Sequence, residues 1–212
     1  TGSETQNSDT EDTSAEDTST KGVKAGGDLL VKDGTFTIDS CDDSLHTNGN
    51  LSICGGTYTL STGDDGMHAD GADQVYGGEI TIKTCYEGIK GQNMEISGGT
   101  IDITASDDGN DALDYNGTAT ITGGTLVAAG MSGMEQNFGS DSTQGTLMMN
   151  LTDNQSGKIT LEDANGNTLV SYTPMREYNS VVISCAELSD GSTYTIHTGE
   201  NSREVTMEGL VY

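Results

Sequence analysis

Acidic residues recur in pairs along the first half of the chain, and their spacing suggests a specific chemistry. Each pair follows a short run of alternating apolar and polar residues, and the pattern returns about every 22 residues. Carboxylate oxygens at this density suit Ca²⁺, which takes six to eight oxygen ligands in a flexible geometry. The pattern predicts a calcium site built from Asp42, Asp43, Asp64, Asp65, Glu87, Asp107 and Asp108.

The alternative interpretation is that these aspartates only shape turns, because Asp bonds to its own backbone and tolerates left-handed conformations. That would explain one Asp-Gly step, but it explains three in-phase pairs and a glutamate less well. Stacked carboxylates about 4.8 Å apart repel each other by about 1 kcal/mol in water. Their stacking therefore favours cations between them.

Basic and aromatic residues accompany this acidic edge. His46 and His68 share one position in the repeat, where the alignment next places Lys90 and Asp111. Two stacked histidines could bind a transition metal or could simply be polar turn residues. Lys24 and Lys90 share a phase and could pair with the acids.

Aromatic rings beside the acids could stack on sugars, although packing or simple exposure explains them equally well. With the nearby polar residues they give a predicted ligand-contacting set of Tyr76, Tyr86, Lys90, Asp70 and Asp111.

The elements that position these residues are repeated strands. Aligning the copies on Asp33, Gly55, Gly77, Gly98 and Gly123 gives steps of 22, 22, 21 and 25 residues. Apolar residues alternate with polar ones on both sides of each reference position, which indicates short strands with one face inward. Twelve residues after the reference come Leu45, Met67, Ile89 and, as an exception, Asn110.

Each copy is too short to bury its apolar face alone, so the copies must stack. The sequence predicts an all-β fold, a right-handed parallel β-helix with about 22 residues per coil. The hand follows the general preference for right-handed parallel crossovers. A β-sandwich is the alternative, but its hairpins would not repeat Asp-Asp at one phase.

Three segments are predicted. Residues 1–20 are acidic and Ser/Thr-rich, which is typical of a disordered linker or an insertion. Residues 21–138 form the coils, and Gly22-Val23-Lys24 resembles the end of an earlier coil. Residues 139–212 lose the repeat and read as short strands joined by turns. They predict a C-terminal antiparallel β cap over the open end of the solenoid.

Charge and composition exclude several classes of partner. Net charge is −26, from 34 acidic against 8 basic residues, which argues against nucleic acid and anionic membranes. The chain has no apolar run long enough for membrane insertion. The oligomeric state is not encoded in any visible pattern, and we expect a monomer or part of a longer chain.

The four cysteines do not suggest a disulfide framework. Cys41 and Cys85 share a phase but lie two coils apart, about 10 Å, which is too far for a disulfide. Cys54 and Cys185 have no evident partner. We expect free thiols, which are typical of a reducing or anaerobic habitat.

Several motifs in order resemble one known family. They are GGTYTLSTGDDGMHADG (Gly55–Gly71), CYEGIKGQNMEISGGTIDITASDDG (Cys85–Gly109) and VSYTPMREYNSVVISCAEL (Val170–Leu188). Together they resemble the clostridial β-helix carbohydrate-binding domain family, which is similar in fold to family 9 polysaccharide lyases. The likeness spans about Lys21 to Gly199. The chain departs from the family at Lys90, where an acid is more usual, and in lacking the family's usual upstream coils.

The resemblance implies Ca²⁺ at the acidic turns and a polysaccharide partner from plant cell walls. It also implies an extracellular or cell-surface protein of an anaerobic Gram-positive bacterium. We therefore expect a calcium-dependent carbohydrate-binding module for an acidic, polygalacturonate-like polymer or cellulose.

Two alternatives to this module remain open. One is a calcium-dependent polysaccharide lyase with Lys90 or Lys24 as base, although an acidic edge would keep such a lysine protonated. The other is a structural or adhesive surface solenoid. No residue is predicted to be catalytic.

Overall fold

The regular structure of the chain is β-strand throughout the part that the structure describes. The computed structural model describes residues 20–105 and 111–212. The strands are β1 (Val23–Ala25), β2 (Leu29–Val31), β3 (Thr35–Ser40), β4 (Leu45–Thr47), β5 (Leu51–Ile53), β6 (Thr57–Thr62), β7 (Met67–Val75), β8 (Glu79–Thr84), β9 (Ile89–Thr104), β10 (Leu113–Tyr115), β11 (Ala119–Gly130), β12 (Thr146–Gln155), β13 (Ile159–Glu162), β14 (Thr168–Tyr172), β15 (Tyr178–Ser184), β16 (Thr193–Thr198) and β17 (Asn201–Thr206).

Strands β1 to β11 stack as parallel coils, which confirms the predicted β-helix. One row of paired residues runs Leu29, Leu51, Asp73, Met94 and Ala119. Its spacings of 22, 22, 21 and 25 residues are those of the sequence repeat. Successive coils are joined edge to edge by backbone hydrogen bonds, so each coil fixes the position of the next.

The alternating apolar positions point into the stack and form continuous columns. Ile38, Leu60, Ile82 and Ile103 make one such column, and all but the first are fully buried. The rings of Phe36 and Tyr58 stack with centroids 4.9 Å apart. Burial of these columns supplies most of the stability of the stack.

Glycine is required at the corner before β6. Gly56 has a φ of +102°, a region that side chains rarely adopt. A Cβ there would lie 2.7 Å from the Gly34 carbonyl oxygen of the preceding coil. The repeated glycines therefore let neighbouring coils approach closely at their corners.

The fourth turn is longer than the others, and this corrects one part of the predicted alignment. Leu113 pairs with Ile89, and Asp114 pairs with Lys90. The alignment had placed Asn110 and Asp111 at these two positions, three residues too early. Ile103 and Leu113 are ten residues apart in the sequence, whereas their partners Ile82 and Ile89 are seven apart, so the constant spacing breaks between them.

The cap begins directly on the last coil, and its antiparallel form confirms the prediction. Strand β11 pairs with β15 antiparallel, and β15 pairs with β12. Strands β14, β13, β16 and β17 form a second, antiparallel sheet in that order. Val127 and Ala129 of β11 point out of the coil stack into the core that these two sheets share.

A carboxyl group lies inside the coil stack. Asp73 occupies the inward row between Leu51 and Met94 and has no exposed surface. Neither of its carboxyl oxygens has a hydrogen-bond partner of normal geometry among the described residues. Burial raises the pKa of Asp73 well above its usual value, despite the nearby His68 charge and Ala69 amide.

All four cysteines are free, as predicted; Cys85 and Cys185 are buried, and the other two are exposed. In the described ranges no helix is long and apolar enough to cross a membrane. The predicted linker lies outside the described residues except for residue 20.

Candidate functional site

Two rows of charged residues run along one corner of the coil stack. Backbone hydrogen bonds between successive turns, such as Ser44 N to Asp65 O and Gly66 N to Glu87 O, place the first row in register. This inner row reads Lys21, Asp43, Asp65, Glu87 and Asp111. The outer row lies three residues further on in each coil and reads Lys24, His46, His68, Lys90 and Asp114.

Asp43 is the most heavily paired acid of the inner row. Its Oδ2 atom lies 2.5 Å from Lys21 Nζ, 2.8 Å from His46 Nδ1 and 3.3 Å from His68 Nδ1. Its Oδ1 accepts a hydrogen bond from the Asp65 amide at 3.2 Å. The side chain is only 1% exposed, so these partners replace the water that a carboxylate needs.

The next two acids are paired in the same way. His68 Nδ1 lies 3.2 Å from Asp65 Oδ2. Lys90 Nζ lies 2.5 Å from Glu87 Oε2 and 3.4 Å from Asp65 Oδ2. Side chains of the outer row therefore lie between the stacked carboxylates, where the acidic pattern predicted bound cations. Lys90 was predicted to pair with the acids, His46 and His68 were predicted as polar turn residues or metal ligands, and Lys21 was not predicted.

These contacts shift the proton affinities of both rows. Burial alone would raise the pKa of Asp43, but hydrogen bonds from His68 and Lys21 outweigh it and hold that pKa well below its usual value. The bonds to Asp43 and Asp65 raise the pKa of His68 to about 10. Burial lowers the pKa of Lys90, but Glu87 and Asp65 more than compensate and leave it above the usual value.

We expect the His68 charge to make stability fall as the pH rises. Because its folded pKa of about 10 lies above the ordinary histidine value of 6.5, its contribution is full below pH 6.5 and is lost between there and pH 10. The side chain is 24% exposed, so solvent reduces this contribution to about 2 kcal/mol. Urea unfolding of chelator-treated wild type and His68→Gln should converge as the pH approaches 10.

His197→Gln is the matched control, because His197 pairs with Glu162 on the cap. A difference between wild type and His68→Gln that stayed constant from pH 6 to pH 10 would contradict the assignment.

Three of the predicted metal ligands come together at the corner. Asp42, Asp43 and Asp64 place carboxylate oxygens within 4.8 Å of one another. Burial, followed by the charges of Asp65, Asp43 and Asp42, raises the pKa of Asp64. Lys21 offsets part of this negative charge through its 2.7 Å contact with Asp42. An all-oxygen group of this kind fits a hard cation such as Ca²⁺; we call it the carboxylate trio.

The acidic end of the two rows lies at the fourth turn. Asp111 follows Glu87 in the inner row, and its Oδ1 is buried without a hydrogen-bond partner among the described residues. Burial and then the charges of Glu135, Asp114 and Glu87 raise the pKa of Asp111 to about 7. Asp107 and Asp108, also predicted as ligands, lie outside the described residues.

An open pocket of about 290 Å³ lies beside the outer row, where the first residues of β7 and β9 adjoin the residues that follow β10. His68, Asp70, Lys90, Gln92 and Asn116 contribute polar groups to its lining. It therefore contains two residues of the predicted ligand set, Asp70 and Lys90. A pocket of about 340 Å³ lies on the cap, away from both charged rows.

The two tyrosines of the predicted ligand set are separated from this pocket. Tyr76 precedes β8 and Tyr86 follows it, so the six residues of that strand, about 20 Å, lie between them. Both are exposed, at 45% and 40%. Tyr86 adjoins the trio through its backbone bond to Asp64, whereas Tyr76 lies on a different corner and is not part of the acidic edge.

The part of the chain that carries these features matches a known family. A sequence model of the family described as "Carbohydrate-binding domain-containing protein" matches residues 1–71 and 48–135, which include the trio and the pocket. No curated protein and no solved structure shows significant similarity to the chain. The two matches together span residues 1–135 of 212, and the chain belongs to this family of carbohydrate-binding domain-containing proteins.

Proposed function

We propose that the chain is an extracellular, calcium-dependent binding module for an acidic plant cell-wall polysaccharide. Family membership supports carbohydrate binding in general. The observation that carries the finer proposal is the position of the carboxylate trio and the polar pocket. They adjoin each other, because His68 lines the pocket and its Nδ1 lies 3.3 Å from Oδ2 of Asp43 in the trio, so one oligosaccharide can contact both.

The carboxylate trio would bind the calcium ion. Three carboxylates would bind Ca²⁺ directly, and turn carbonyls and water can complete its shell. The bound ion would retain open positions toward solvent because Asp42 and Asp64 are only partly buried. A sugar carboxylate could take one of them. With a net charge of −26 on the chain, such a bridge offsets the repulsion between acidic protein and acidic polymer.

The pocket supplies contacts to the sugar itself. Gln92 and Asn116 are exposed amides that can hydrogen-bond to hydroxyl groups. Asp70 adds an acceptor, and the protonated His68 and Lys90 add positive charge at the rim. The volume of about 290 Å³ is at the lower end of the range for ligand pockets, about 300–1,000 Å³. It suits a short stretch of a polymer better than a large compact ligand.

Binding is favoured over β-elimination because Lys90, the predicted base that lines the pocket, stays protonated. Elimination needs a group that accepts a proton near neutral pH. Glu87 and Asp65 hold the pKa of Lys90 above its usual value, so that Lys90 remains a donor. A purely structural solenoid would explain the coils, but it would leave the polar pocket without a role.

Affinity electrophoresis on polygalacturonate and on soluble cellulose derivatives, with calcium or with EDTA, tests this function. We expect calcium-dependent retardation on polygalacturonate and no ultraviolet absorbance from unsaturated product. Asp64→Asn should raise the calcium concentration needed for half-maximal retardation by about tenfold, since it removes one of three charged ligands. Asp153→Asn, an exposed residue of the cap, is the control.

A double variant tests the role of the pocket separately. Gln92→Ala with Asn116→Ala should weaken sugar binding by about tenfold through the loss of two hydrogen bonds, without changing calcium affinity. Retardation that persists in EDTA would contradict the calcium bridge, and unsaturated product would make the protein a lyase. Retardation on neither polymer would favour a structural solenoid.

A further inference from the structure

Two histidines and two carboxylates converge at the centre of the charged rows. His46 and His68 are paired in register on adjacent coils, and their ring centroids are 4.9 Å apart in an edge-on arrangement. Both Nδ1 atoms face Asp43 Oδ2, at 2.8 and 3.3 Å, and His68 Nδ1 also lies 3.2 Å from Asp65 Oδ2. His46 and both carboxylates are at most 7% exposed.

These distances match the spacing of ligands around one metal ion. Ligand atoms about 2.0–2.1 Å from a tetrahedral zinc ion lie about 3.3 Å from one another. The three separations between Nδ1 and Oδ2 atoms fall within about half an ångström of that value. Asp43, His46 and His68 also offer ligand atoms that all lie within 4.8 Å of one another, so one ion can reach all of them after small side-chain rotations.

A second observation points to a missing partner at the same place. Asp65 Oδ1 is buried and has no hydrogen-bond partner among the described residues, although the side chain is only 2% exposed. Its other oxygen faces His68. A buried carboxylate with an unsatisfied oxygen is costly, and coordination of a cation by both Asp65 oxygens would satisfy Oδ1.

We propose that Asp43, His46 and His68 bind one divalent transition-metal ion of the zinc class, and that Asp65, whose Oδ2 lies 3.2 Å from His68 Nδ1, rotates to become the fourth ligand. Imidazole nitrogen suits Zn²⁺, Cu²⁺ and Ni²⁺, whereas Ca²⁺ and Mg²⁺ prefer oxygen alone. Two carboxylates balance the charge of the ion. The site differs from the carboxylate trio in its donor atoms, although Asp43 belongs to both.

Protons compete with the metal for this site. A protonated His68 bridges Asp43 and Asp65 in the absence of metal, so its Nδ1 must lose a proton before it can coordinate. Lys21 also contacts Asp43 Oδ2, and it can keep its contact with Asp42 when the ion enters. Metal binding should therefore release about one proton and tighten as the pH rises.

Titration of the chelator-stripped chain with Zn²⁺ and Co²⁺ tests the proposal. We expect about one ion per chain, proton release detected by calorimetry in buffers of different ionisation enthalpy, and a tetrahedral Co²⁺ absorption spectrum. At a Zn²⁺ concentration about 100 times Kd, Tm should rise by about 5 °C or more. The Co²⁺ spectrum should lack a thiolate charge-transfer band, which separates this site from the exposed Cys41 and Cys54.

Variants assign the ligands. His46→Gln and His68→Gln should each weaken Zn²⁺ binding more than about 100-fold, because loss of even an outer-shell partner costs about 10–100-fold. His197→Gln and Asp64→Asn should leave it unchanged. Zn²⁺ affinity retained in the double histidine variant, or an octahedral Co²⁺ spectrum without proton release in the wild type, would overturn the proposal. If a variant fails to fold, the Co²⁺ spectrum and the proton release of the wild type still test the proposal.

Discussion

Asp73→Leu is expected to stabilise the protein by about 3 kcal/mol at pH 7. The Asp73 carboxyl lies in a row of apolar side chains, without exposure and without normal hydrogen bonds. An unsatisfied buried polar group costs about 1–3 kcal/mol, and burial of a leucine gains about 1.5–3 kcal/mol. Leucine has the same branching as aspartate, which matters because Asp73 Oδ2 packs closely against Gly91. Urea unfolding measures the change.

The pH dependence of this gain provides a separate check. The folded pKa of Asp73 is raised, so the wild type loses stability as the pH rises from about 4 toward that folded pKa. Leucine at this position does not titrate, so the difference in unfolding free energy between Asp73→Leu and wild type should grow over the same pH interval. Leu51→Asp, the reverse change one coil earlier, should destabilise by a similar amount. A loss of stability in Asp73→Leu would mean that the carboxyl has a partner worth more than its burial costs.

Asp43→Ala is expected to destabilise the protein by about 3–5 kcal/mol, the usual cost of removing one partner from a buried charge group. The change removes the shared partner of Lys21, His46 and His68 and an acceptor for the Asp65 amide. Chemical denaturation at pH 7 in the presence of EDTA measures the effect without any contribution from bound metal.

Asp42→Ala is the matched control in the same turn. The Asp42 side chain is 27% exposed; among the described residues its ion-pair partner is Lys21, and it accepts a hydrogen bond from the Asp43 amide. Its loss should therefore cost no more than about 1 kcal/mol. Equal losses for the two variants would show that the turn, rather than the buried charge group, determines the energy.

The fold could be predicted from the sequence because the repeat reports the register directly. Leu29, Leu51 and Met94 align at constant phase, and the structure pairs them in that order. The extra length of the fourth copy was not predicted, because this copy is as acidic as the others. Its three additional residues nevertheless shift every later residue of the copy by three positions in the alignment. The apolar Leu113, three residues after the expected Asn110, was the signal that could have revealed it.

The candidate site could be predicted only in part. The acidic residues were visible as a periodic pattern, and the structure brings Asp42, Asp43 and Asp64 together. Their pairing with Lys21 and His68 was not visible, since it depends on side-chain directions across neighbouring coils. Exposed residues such as Tyr76 carry no positional signal, because a solvent-facing side chain is not constrained by the packing that creates the repeat.

The changing composition of the two charged rows has a consequence for folding fidelity. Neighbouring coils bury nearly interchangeable apolar residues, so the columns alone discriminate weakly against a chain that slips by one whole coil. Both rows begin with lysine and end with aspartate, so a slipped chain would bring different charges together at several levels. Such mismatches raise the energy of the misaligned state and deepen the gap to the native one. Refolding at high salt, which screens these charges, should therefore trap more slipped molecules than refolding at low salt.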